Sequence, residues 1–102
     1  MFKKQHNFYI HLIIAALALA LGLLLDLSRS EFLWIILAIG IVLSAEVFNT
    51  AIEKLTDLVQ PNNDPKAGQI KDLSAAAVLL AAITAFTIGL LIFIPRIMQL
   101  IA

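Results

Sequence analysis

Three long apolar blocks, at 8–26, 32–58 and 72–95, constrain this chain more than any other feature. A helix needs about 20 mostly apolar residues to cross a bilayer, and each block is near or above that length. Of the 102 residues, 62% are hydrophobic and the mean hydropathy is +1.00, whereas a soluble domain is about 45–50% apolar. The expectation is an all-α integral membrane protein with three transmembrane helices in a single membrane domain, 1–102. A loop at 59–71 joins the second helix to the third.

The second block does not end where its apolar run ends. At 46–57 the sequence reads E-V-F-N-T-A-I-E-K-L-T-D, with no turn signal before it. At helical spacing Glu46, Asn49, Thr50, Glu53 and Asp57 share one stripe. Ionisable groups at the end of a membrane-length helix are costly, and they face a bundle interior or a water-filled site. The plain alternative for Glu53 and Asp57 is a solvated helix face, and for Glu46 a hydrogen bond between helices.

The remaining segments read as connections and ends. Lys3 and Lys4 precede the first block, which is too long for a signal-peptide core and lacks a small-residue cleavage site, so it is expected to be retained. Ser30 and Glu31 read as the start of the second helix. The residues Pro61, Asn62, Asn63, Asp64, Pro65 and Gly68 read as a loop, and Pro95 with Arg96 as the stop of the third helix. Ala77, Ala81, Ala85 and Gly89 recur at every fourth position, a pattern that lets helices approach closely. His11 reads as an interfacial or packing residue, and Trp34 as an interface anchor.

Charge and composition narrow the function. The formal net charge is zero and there is no cysteine, which removes the electrostatic case for nucleic acid and excludes thiolate chemistry. Lys3, Lys4, Lys54, Lys66 and Lys71 fall to one side of the three spans, and Arg29 and Arg96 to the other. The positive-inside rule puts the amino terminus and the 59–71 loop in the cytoplasm. The polar stripe then opens where nucleotides are. Three spans are too few to enclose it, so a closed oligomer with sites between subunits is the economical form.

The residue types themselves form a phosphoryl-transfer set. Carboxylates and an amide suit a hard cation such as Mg²⁺, Lys71 offers a point charge to phosphate, and Glu46 is a deep carboxylate able to take a proton from an alcohol. No Walker A or kinase-type glycine-rich loop is present.

The 46–57 motif, together with K-D-L-S-A-A-A-V at 71–78, resembles the prokaryotic diacylglycerol kinase family, small three-span lipid kinases that include undecaprenol kinases. The resemblance implies a homotrimer of the bacterial cytoplasmic membrane with its active sites between subunits and facing the cytoplasm. It implies transfer of the γ-phosphate of Mg·ATP to the primary hydroxyl of diacylglycerol or undecaprenol, giving phosphatidic acid or undecaprenyl phosphate. It assigns Glu46 as general base and acceptor contact, with Ala75 beside the acceptor. Asn49 organises the site. Glu53 and the position of Gln5 hold the metal. Lys71 meets phosphate, while Asp72, Glu53 and the Asn62, Asn63 and Asp64 segment meet the nucleotide. The chain also departs from the family pattern: Gln5 stands in place of an acidic residue, Tyr9 in place of an arginine, and Ile70 in place of an alanine. An amide binds Mg²⁺ more weakly than a carboxylate, so a catalytically silent scaffold is a second reading. A small oligomeric cation or proton transporter is a third; against it, residues 32–43 offer no polar continuation.

Overall fold

The computed structural model describes residues 4–102, with side chains from Asn7 onward. It consists of three α-helices, α1 (Lys4–Leu24), α2 (Arg29–Val59) and α3 (Pro65–Ile101), with no strand among the described residues. All three are long and apolar enough to cross a membrane. The molecule measures 57 × 22 × 19 Å. Its long dimension is that of α3, since 37 residues at 1.5 Å rise make about 55 Å.

The helix ends follow from local chemistry. Helix α1 closes with Asp26 in the left-handed region at φ 55. Leu27 N–H donates to Gly22 O at 3.1 Å and Asp26 N–H to Leu23 O at 3.3 Å. This is the paired bonding of a Schellman motif. Its apolar contact explains Gly22: a Cβ there would stand 3.0 Å from Leu27 Cδ1 and 2.9 Å from Phe32 Cε1. Helix α2 then starts from a capping box. Ser28 Oγ accepts from Glu31 N–H at 3.2 Å, and Glu31 Oε1 accepts from Ser28 N–H at 2.8 Å.

Four expectations need correction. The first helix ends at Leu24 rather than at 26, because the left-handed residue that closes the turn is Asp26. The cap of α2 is Ser28, not Ser30, because Ser28 alone has Glu31 three residues on. The loop is shorter than 59–71: α3 begins at Pro65. Asp64 Oδ1 accepts from Lys66 N–H at 2.8 Å, and Pro65 sits at the first helical position, where its missing N–H costs nothing. Nor is Pro95 a stop, since α3 runs through it to Ile101. Arg96, one residue beyond, is tied to Glu31 on α2, and that tie holds the last turns in place.

Helix α2 is the centre. It packs along α3 and, less extensively, against α1, whereas α1 and α3 scarcely meet. One stripe of α2 is buried: Ile35, Ala38, Val42, Glu46, Asn49 and Thr56. Its apolar half and its polar half are therefore one continuous face. Of the small-residue ladder on α3, Ala81 is buried while Ala77 is exposed. Most large apolar side chains point outward, among them Leu23, Phe48, Leu58, Phe86 and Leu91. In water such a surface would be untenable; against hydrocarbon or other apolar helices it is favourable.

Candidate functional site

The polar stripe of α2 assembles into a ladder of side-chain contacts ordered along the helix. Deepest is Glu46, 6% exposed, whose Oε1 lies 3.3 Å from His11 Nε2 on α1. A turn further on is Asn49, 3% exposed, whose Oδ1 accepts from Ser74 Oγ on α3 at 2.7 Å. Towards the loop, Asp57 Oδ1 meets Lys71 Nζ at 2.5 Å. Glu53 lies between these levels, half-buried and close enough to act electrostatically on the Lys71 ammonium.

Backbone geometry explains why these residues converge. Positions 46, 49 and 53 are spaced by three and four, so they face the same side of α2. Helix α3 runs antiparallel to it and brings Ser74 and Lys71, one turn apart, opposite Asn49 and Asp57. Hydroxyls that lack a distant partner turn to their own helix: Thr50 Oγ1 donates to Glu46 O at 3.0 Å and Thr56 Oγ1 to Ile52 O at 2.7 Å. No buried polar side-chain atom among the described residues is left unsatisfied, as buried polar groups require.

The other expected site residues are less gathered. Asp72 and Ala75 are exposed on α3, and Asn62 and Asn63 are exposed in the short loop. Asp64 is occupied as the α3 cap, and its Oδ2 also accepts from Gln60 Nε2 at 3.3 Å. The side chain of Gln5 lies outside the described residues. Two participants go beyond the residues expected at the site: Ser74, which lies within the 71–78 motif without a role of its own, and His11, which reads from sequence as an interfacial or packing residue.

Among the described residues no group of three His, Asp or Glu side chains forms a metal cage. That does not disqualify Mg²⁺, which is commonly held by one or two carboxylates with waters and substrate phosphates. Glu53, an oxygen donor beside the Lys71 ammonium, fits that mode.

Two concave regions flank the ladder. One, of about 490 Å³, runs between the three helices from His11 past Ala38, Val42 and Phe86 to Phe93, and is apolar throughout except at His11. The other, of about 500 Å³, lies at the loop end between Ile52, Val59, Gln60, Asp64 and Ile70.

Over residues 1–93 the chain matches the family described as prokaryotic diacylglycerol kinase. The undecaprenol kinase of Bacillus subtilis is 40% identical over 94 residues, which are 92% of this chain and 76% of that protein. The diacylglycerol kinase of a Synechocystis species is 33% identical over 100 residues, 97% of this chain and 57% of that protein. No solved structure matches the chain significantly.

Proposed function

The chain belongs to the prokaryotic diacylglycerol kinase family and is a lipid kinase, and from that premise we propose that it transfers the γ-phosphate of Mg·ATP to the primary hydroxyl of a membrane lipid at the cytoplasmic face. The observation that carries this reading is the order of the ladder. Groups suited to phosphate and metal lie at the loop end, and a buried carboxylate lies towards the apolar groove. Nucleotide entering from the loop and lipid entering from the membrane would meet between them.

In this mechanism the acceptor's hydrocarbon lies along the groove and its hydroxyl reaches Glu46. The carboxylate takes the hydroxyl proton as the oxygen attacks the γ-phosphorus, the bond to the leaving ADP breaks, and ADP departs with its electron pair. Lys71 exchanges Asp57 for phosphate oxygens and offsets their charge. The Asn49 amide, fixed through Ser74, orients groups at the transfer point. Glu53 and Gln5 would hold Mg²⁺, which when bound neutralises phosphate charge. Asp72, Asn62, Asn63 and Asp64 are assigned to the nucleotide and Ala75 to the acceptor's flank. Undecaprenol is the acceptor we put first, since the relative named for it shares 40% identity over 92% of this chain; diacylglycerol is second. Self-association into a homotrimer would cover the open side of the stripe.

A γ-phosphate transfer assay in mixed micelles tests this, with undecaprenol and diacylglycerol offered in parallel. Label should enter undecaprenol. Glu46→Gln should reduce turnover by about 10²–10⁴-fold, the usual share of a general base, while the protein keeps its oligomeric state. Wild-type turnover in that variant would remove Glu46 from the role of base.

A further inference from the structure

Glu46 is a buried carboxylate in the middle of a mostly apolar stripe, and such a group needs a partner. Among the described residues the polar partner of its carboxylate is His11, 3.3 Å away on a different helix. His11 also lines the apolar groove, at its one polar position. It thus stands where the groove meets the carboxylate.

A mid-helix glutamate has three rotatable bonds, and a carboxylate presents two oxygens of equal basicity. For proton abstraction one oxygen must face the acceptor in a fixed direction, and a base is commonly oriented by a third group. We propose that His11 is a positioning residue for Glu46: its Nε2–H holds Oε1, and this leaves Oε2 directed at the hydroxyl of a lipid seated in the groove. The inference rests on the proposed role of Glu46 as base and adds a residue that the sequence pattern assigned to packing. It also gives α1 a positioning role beside the one proposed for Gln5. Helix α1 packs lightly on α2, so its contribution here is a directed polar contact rather than bulk burial.

The test separates orientation from packing. His11→Phe keeps the ring volume and removes the donor; His11→Gln keeps an N–H at similar reach. We expect His11→Phe to lower kcat by about tenfold or more, the scale of a misplaced reacting group, with KM for Mg·ATP and lipid unchanged. His11→Gln should return most of that kcat. A second readout needs no turnover. The chain has 2 histidines, His6 and His11, so in a His6→Gln background the imidazole ¹⁵N signals belong to His11 alone, and Glu46→Gln should shift the Nε2 signal. Wild-type kcat in His11→Phe, equal losses in both His11 variants, or an unmoved ¹⁵N signal would each overturn the proposal. Failure of the underlying reading looks different: Glu46→Gln itself would retain turnover. If Glu46→Gln is inactive and His11→Phe is not, the base assignment stands and only the positioning role is lost.

Discussion

Two ion pairs join α2 to α3, one at each end of their interface, and they are built differently. At one end Arg96 grips Glu31 through two parallel bonds, Nη2 to Oε1 at 2.5 Å and Nε to Oε2 at 3.2 Å. Both side chains are largely covered, 29% and 26% exposed. Glu31 is further committed to the Ser28 capping box. At the other end Lys71 meets Asp57 through one oxygen, with the side chains 38% and 60% exposed. A guanidinium fork on a carboxylate is geometrically specific, whereas an ammonium is a mobile point charge on a flexible stem. The first pair is a fastening. The second is a looser contact, which on the proposed mechanism phosphate replaces, at the end where that chemistry happens.

The largest effect should come from breaking the loose pair on its basic side. If Lys71 leaves Asp57 to neutralise phosphate, Lys71→Met should lower kcat/KM for Mg·ATP by about 10²-fold, as loss of a preorganised charge contact does. Its melting temperature should stay near that of the wild type. The fastening should respond in the opposite way. Arg96→Met leaves Glu31 without its fork and loosens the last turns of α3 beyond Pro95, so thermal melting in detergent should fall while kcat per folded protein holds. Equal effects of the two variants on both readouts would erase the distinction between the ends.

That distinction was only half visible in the sequence. The 46–57 stripe was legible because its register is local: spacing by three and four fixes a face without knowing what covers it. Asn49 and Glu46 are accordingly among the most buried polar residues. At about 100° per residue, Thr56 lies on the Asn49 side of that face, and it is Thr56 that is buried while Asp57 is exposed; the pattern could not reveal which edge α3 would cover. Contacts between helices were illegible for the same reason. Arg96 and Glu31 are 65 positions apart and Ser74 and Asn49 are 25 apart, and pairing them requires the relative rotation and register of two helices. His11 and Glu46 need the rotation of a third. The start of α3 was illegible for another reason: a cluster of Pro, Asn and Gly reads as loop, although Asp64 followed by Pro65 is also how a helix begins.

The smallest effect should come from the acidic side of the loose pair. Asp57 has no second bond, is more than half exposed, and an exposed pair of this kind contributes little to stability. Asp57→Asn removes the charge that competes with phosphate for Lys71 while keeping a side chain of the same shape. On the exchange mechanism, kcat should change by less than about threefold, and KM for Mg·ATP should stay level or fall slightly, because Lys71 no longer has to leave a carboxylate before meeting the nucleotide. A loss as large as that of Lys71→Met would mean that Asp57 acts on metal or nucleotide directly. Lys71 would then be its counter-ion, and the loose pair would be part of the binding machinery rather than the resting state of one lysine.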